Sequence, residues 1–118
     1  MRFFRHPPRD DLSLPAVLFA LSDPLRLEIA KSLATQGEQN CSVFAGPSSP
    51  HHGVPKSTLT HHFKVLRDAG IISTRILGTR HINSIRRDDL DARFPGLLDA
   101  VLNAINETLP DDTPAAAA

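Results

Sequence analysis

The chain has 118 residues, 41% of them hydrophobic, with thirteen cations balanced by thirteen acids and a single cysteine, Cys41. This length suits one domain with its own core. No apolar run approaches the ~20 residues of a membrane span, one cysteine excludes an intrachain disulfide and a multi-cysteine zinc site, and the opening MRFFRHPPRDDL lacks the apolar core of a signal peptide, so a cytoplasmic protein is expected.

Residues 1 to 10 read as a flexible N-terminal arm containing Pro7-Pro8, residues 11 to 109 as the folded domain, and residues 110 to 118 as a disordered tail. Leu14, Val17, Leu18 and Leu21 recur at helical spacing and predict a first helix. Asp23 can cap a second helix, with Pro24 at the position where a missing N–H is harmless. Leu25, Leu27, Ile29, Ala30, Leu33 and Ala34 give that helix a broad apolar face, and Gly37 stops it. Residues 39 to 44 suit a short strand. Residues 45 to 55, AGPSSPHHGVP, hold three prolines and two glycines and exclude a regular helix.

A third helix is predicted over residues 56 to 69, stopped by Gly70. Residues 71 to 77 and 80 to 86 read as strands joined at Gly78-Thr79, a hairpin. Asp88 and Asp89 suit the first turn of a further helix. Pro95 opens the last one, whose apolar face carries Leu97, Leu98, Val101, Leu102, Ile105 and Leu109. The expected fold is mainly α with a small β-hairpin: a winged helix-turn-helix in the order helix, helix, short strand, loop, helix, hairpin, helix.

Charge follows the same division. Residues 56 to 87 hold seven cations and one acid, residues 88 to 118 seven acids and one arginine, and the first 55 residues five of each. A basic middle beside an acidic end suits a nucleic-acid-binding surface on a neutral body, and equally a solvated basic face.

In the third helix, KSTLTHHFKVLRDAG, the residues Leu59, Phe63 and Leu66, with Val65 and Ala69 one step round, must face the core. His62 lies on or beside this stripe and reads as a partly buried packing residue. His61 shares the polar side with Ser57, Thr58, Thr60, Lys64 and Asp68. Short hydroxyls and an imidazole at a helix start can reach base edges, while Lys64 and Arg67 can hold phosphates. A plain exposed histidine is the alternative for His61. Helical neighbours diverge by roughly 100°, so the two histidines do not share a metal. The His51-His52 pair would need further ligands such as His81 or Cys41, and a solvated loop is its default reading.

Two passages carry a family resemblance: LFALSDPLRLEIAKSL at residues 18 to 33, and KSTLTHHFKVLRDAGII at 56 to 72 with the hairpin after it. Together they resemble the ArsR/SmtB family of bacterial winged-helix regulators, over about residues 14 to 107. The resemblance implies a homodimeric repressor on a palindromic double-stranded operator, released by an inducer that the sequence does not name. By position, it makes Ser57, Thr58, Thr60 and His61 the base readers, and with Lys56, Lys64 and Arg67 these are the expected DNA-binding residues of the recognition helix. Arg75, Thr79, Arg80 and His81 would act through the wing. Leu14, Val17, Leu18, Leu98, Val101, Leu102 and Ile105, on the first and last helices, would form the dimer interface.

The chain departs from the family pattern in two places. Where a full supporting helix precedes the recognition helix, this sequence has VFAGPSSPHHGVP, so a turn or loop is expected there and residues 45 to 55 become a candidate mobile segment. The metal-sensing motifs are also missing. No Cys-x-Cys pair exists, and the last helix has Asp99 and Glu107 but no histidine. No metal and no cofactor is therefore expected, and Cys41 reads as a small packed thiol. Without a Gly-rich phosphate loop or a nucleophile elbow, no enzyme is expected either. The competing reading is a winged-helix module that binds a protein rather than specific DNA.

Overall fold

The computed structural model describes residues 4 to 44 and 53 to 108, with side chains as far as residue 105. His51-His52 and the expected tail at 110 to 118 lie outside the described residues. The elements are α1 (Leu14–Ala20), α2 (Pro24–Gln36), β1 (Gln39–Asn40), α3 (Lys56–Asp68), β2 (Ile72–Leu77), β3 (Arg80–Ile85), α4 (Arg87–Arg93) and α5 (Leu97–Thr108), with single 3-10 turns at Arg9–Asp11 and Cys41–Phe44. The fold is mainly helical with a small antiparallel sheet, as a winged helix requires.

Local chemistry sets the boundaries. Asp23 Oδ1 accepts from the Leu25 and Arg26 N–H groups at 2.8 and 3.2 Å, and Pro24 opens α2 behind it. Burial pushes the Asp23 carboxyl up, but donation from these two amides outweighs it and leaves the group below its usual range. Gly37 ends α2 at φ 87°, in the left-handed region that glycine enters without strain.

The sheet has the order β1-β3-β2. Only the first two residues of the expected strand at 39 to 44 pair, Gln39 with Asn83 and Asn40 with Ile82. From Cys41 the chain instead winds into a 3-10 turn that buries Phe44 against Phe63, ring centroids 5.5 Å apart. Burying that phenyl ring is worth more than two further ladder bonds at a sheet edge. The core joins Val17 and Ala20 of α1, Ile29 and Leu33 of α2, Leu59, Phe63 and Leu66 of α3, Ile71 and Ile72 of the wing, and Leu90 and Leu98 behind it.

A buried arginine binds three helices together. Arg26 Nε donates to the Ala20 carbonyl at 2.6 Å and Nη2 to the Phe19 carbonyl at 3.4 Å, closing the end of α1. Its Nη1 lies 3.1 Å from His62 Nδ1 on α3. A guanidinium only donates, so His62 is neutral at Nδ1 and carries its proton on Nε2. His62 is therefore the partly buried, hydrogen-bonded packing residue its position suggested.

The segment expected as a free arm is docked from Phe4 onward. The Thr74 N–H donates to His6 Nε2 at 3.0 Å, Arg86 Nη1 donates to the Pro7 carbonyl at 2.8 Å, and Leu12 is buried. Pro7-Pro8 suggested a flexible arm, but β2 is a sheet edge, and the Thr74 N–H on it takes the imidazole as an acceptor.

The apolar faces of α1 and α5 divide differently from expectation. Val17, Leu98 and Ile105, expected at a dimer interface, are buried within the chain at 1%, 2% and 4% exposure. Helical periodicity marks which residues are apolar, not whose core they enter. Leu14 and Leu18 remain exposed, and Phe19, which was not expected there, is 65% exposed beside them. Val101 and Leu102 are half-buried.

Replacing Arg26 with Ala should destabilise the protein by about 2–3 kcal/mol, because it strands two carbonyls and a ring nitrogen. Arg26→Lys should restore only part, since one ammonium cannot span all three acceptors. Urea midpoints at constant m-value check both.

Candidate nucleic-acid interface

The third helix presents two chemically distinct sides. Leu59, Phe63 and Leu66 are buried, while Lys56, Ser57, Thr58, Thr60, His61 and Lys64 are all exposed. The split follows from 3.6-residue periodicity once Phe63 and Leu66 are fixed in the core. Pro55 caps the helix without a side-chain bond, so the positive end of its dipole opens beside Lys56. Lys64 Nζ reaches Asp68 at 2.7 Å in an exposed i,i+4 pair, too weak to fix its ammonium in place.

Arg67 departs from expectation. It is 9% exposed, with Nη1 on Thr74 Oγ1 at 3.3 Å and its guanidinium 4.1 Å from the centre of the Phe4 ring. Burial pushes its pKa down, but a guanidinium keeps its charge, and the face of the phenyl ring meets it. This side chain is mostly buried and ties α3 to the wing, because position 67 falls one residue round from the polar face, beside Leu66.

The contact continues as a buried polar chain. Thr74 Oγ1 donates to Asn83 Oδ1 at 2.6 Å, and Asn83 Nδ2 donates to the Gln39 carbonyl at 3.4 Å and to Cys41 Sγ at 3.0 Å. Asn83 is fully buried. Burial raises the Cys41 thiol above its usual range, which keeps it protonated and poorly reactive. Asn83 and Arg26 were not singled out in the sequence. Asp23-Pro24-Leu25-Arg26 offered a signal for Arg26, an arginine one turn from a cap; a polar residue inside a strand gave none.

On the wing, strand alternation and the pairing of Arg75 with Ile82 and Ile76 with His81 put Arg75 and His81 on opposite faces. Arg75 is held by Glu38 through two bonds of 2.6 and 3.1 Å, which keep that carboxyl below its usual range. Thr79 and Arg80 stand exposed at the tip. His81 lies edge-on to Phe4, centroids 5.1 Å apart. A cleft of about 650 Å³ separates α3 from the wing and is bordered by Phe4, Cys41, Lys56, Thr60, Arg80 and His81, among others. Among the described residues, no group of three or more His, Cys, Asp or Glu side chains comes together.

A helix-turn-helix domain model matches residues 21 to 75, which run from the end of α1 through α3 into β2. An uncharacterized HTH-type transcriptional regulator, YceK, of Bacillus subtilis (strain 168) is 32% identical over 92 residues, 78% of this chain and 89% of that protein. The arsenical resistance operon repressor of Staphylococcus xylosus is 33% identical over 78 residues, 66% of this chain and 70% of that protein. The chain belongs to the ArsR family of winged helix-turn-helix transcriptional regulators.

Solved ArsR-type structures share the architecture. A crystal structure of an ArsR family transcriptional regulator superposes with a TM-score of 0.59 at 24% identity, covering 80% of this chain and 92% of that one. The transcriptional repressor BigR from Xylella fastidiosa superposes with the same score at 21% identity, covering 84% and 88%. At such identities the likeness concerns the fold alone.

Two predictions test this geometry. Arg67→Ala should cost about 1–2 kcal/mol of folding stability and leave the salt dependence of any DNA binding unchanged, as unfolding curves and salt titrations would reveal. The second concerns pH. Burial lowers His6 below its ordinary value of 6.5, helped by Arg86 and Arg67. Burial also lowers His62; Asp23 opposes this, while Arg26 and His61 add to it. Both groups accept hydrogen bonds only when neutral. Their contribution is complete above 6.5 and is lost as pH falls from there through the depressed folded-state values. Unfolding free energy measured against pH should therefore decline below that point, less steeply in His62→Gln.

Proposed function

We propose that this ArsR-family protein is a DNA-binding transcriptional repressor that reads a palindromic operator as a homodimer. The observation that carries this reading is the first half of α3. Lys56, Ser57, Thr58, Thr60 and His61 are exposed together, on a helix whose opposite stripe is locked in the core. Such a helix can enter a major groove without rearrangement. Ser57, Thr58, Thr60 and His61 supply short donors and acceptors for base edges. Lys56 and Lys64 supply cations for the flanking phosphates, and Thr79, Arg80 and His81 contact the neighbouring backbone from the wing. Arg75 joins them by exchanging Glu38 for a phosphate.

Exposed Leu14, Leu18 and Phe19 support dimerisation, since these large side chains on α1 lie open to solvent. Half-buried Val101 and Leu102 of α5 extend the apolar surface toward a partner. A two-fold axis there sets two α3 helices about one DNA turn apart, 34–36 Å, and so requires half-sites at that spacing. An inducer releases the operator by favouring a dimer whose two helices no longer match it. Such a protein works in the cytoplasm, where bacterial DNA lies.

Fluorescence anisotropy on the DNA just upstream of the protein's own gene, against scrambled DNA, tests the reading. Binding should prefer the upstream sequence strongly and weaken steeply with salt. His61→Ala should reduce that preference by about 1–3 kcal/mol with little effect on scrambled DNA. Lys64→Ala should weaken both and flatten the salt slope by about one unit. Weak binding without preference or salt dependence would reject the reading and favour a protein partner.

A further inference from the structure

The basic middle of the chain offers a DNA duplex fewer free charges than its composition suggests. Arg67 is buried, Lys64 pairs with Asp68, Arg75 with Glu38, Arg86 with Asp89, and Arg87 with Asp91 and Asp99. Of the seven cations there, Lys56, Arg67 and Arg80 have no ion pair among the described residues, and of these three Lys56 and Arg80 are exposed. Both border the cleft between α3 and the wing.

The N-terminal segment runs to the same place. Pro7 is fastened by Arg86 at the base of the wing, where Arg86 N also bonds the Ile71 carbonyl at 2.8 Å. His6 is fastened one step further, on the Thr74 N–H of β2. Phe4 reaches the cleft itself, edge-on to His81 and beneath the Arg67 guanidinium. Phe4 and His6 thus both face the protein and are partly buried, while Arg5 between them is exposed and has no ion pair among the described residues. Two anchored neighbours limit where its guanidinium can swing, and one of them, Phe4, lines the cleft that Lys56 and Arg80 border.

We propose that the N-terminal segment is a third DNA-contacting element, in which Arg5 binds a backbone phosphate beside the cleft between α3 and the wing. Phe4 and His6 are positioning residues for it: an aromatic clasp and a backbone clasp that spare the arginine the entropy of a free arm. An arginine suits the task because its fork takes two phosphate oxygens at once. The inference rests on the reading of the protein as DNA-binding.

The test is anisotropy on the upstream DNA across a salt series, with wild type, Arg5→Gln and Arg5→Lys measured together and their thermal midpoints compared. Arg5→Gln should bind about three- to tenfold more weakly at low salt, with a slope shallower by about one unit and an unchanged thermal midpoint. Arg5→Lys should keep the wild-type slope, since it keeps the charge. If Arg5→Gln matches wild type in affinity and slope, or loses affinity with no change of slope, the phosphate contact is refuted while the repressor reading stands. If wild type itself shows no preference for the upstream DNA, the repressor reading fails first and this inference with it.

Discussion

The Arg26 guanidinium is the contact on which the orientation of α3 and its exposed polar face depends. It is buried at the meeting point of α1, α2 and α3, and its donors are spent on two carbonyls at the end of α1 and one imidazole on α3. A buried charge is tolerated only when its hydrogen-bonding sites are filled, so the three helices can meet only in an arrangement that fills them. His62 pointing inward at Arg26 fixes the rotation of α3 about its axis, and the residue before it, about one hundred degrees round, is His61 pointing out. The doublet that looks redundant in sequence is one residue for each side. This clasp also helps hold α3 against α1 and α2.

A second buried polar chain acts on the wing. Arg67, Thr74, Asn83 and Cys41 link α3 through both strands of the hairpin to the turn after β1. The two arginines divide the labour: Arg26 orients the helix against the bundle and Arg67 sets the wing against the helix. Arg67 is a cation that the basic middle of the sequence would assign to a nucleic acid. The acidic end of the chain follows the same logic, since Asp89, Asp91 and Asp99 fold back onto Arg86 and Arg87. Part of the charge asymmetry along the sequence is thereby paired within the structure, while exposed Lys56 and Arg80 border the cleft between α3 and the wing without an ion pair among the described residues.

Much of the fold could be read from the chain because its punctuation has a single physical meaning. Asp23-Pro24 can only start a helix, Gly37 and Gly70 stop two, and Leu59, Phe63 and Leu66 leave α3 one side to bury. The exposed polar face of α3 followed from those positions. Less accessible was anything set by contacts between distant segments. Phe4 and His6 look like part of a loose arm until the edge of β2 and the guanidinium of Arg67 are in place. Arg67 looks like a phosphate ligand because one helical step separates it from the polar face. Val17, Leu98 and Ile105 are apolar whether they meet their own core or a second protomer, and periodicity does not distinguish the two. Asn83 sits at a strand position where an aliphatic residue would be expected; its purpose exists only once Thr74 and Cys41 surround it.

The central claim is that the face of α3 opposite the Arg26 clasp, together with the wing tip, meets DNA. Backbone amide shifts recorded for the protein with and without its upstream DNA address this residue by residue. The account predicts that the largest changes fall on Lys56 through Lys64 and on Thr79 through His81, with Leu66 and Ile29 nearly unmoved. Changes centred instead on Leu14, Leu18 and Phe19, with the amides of α3 undisturbed, would contradict it.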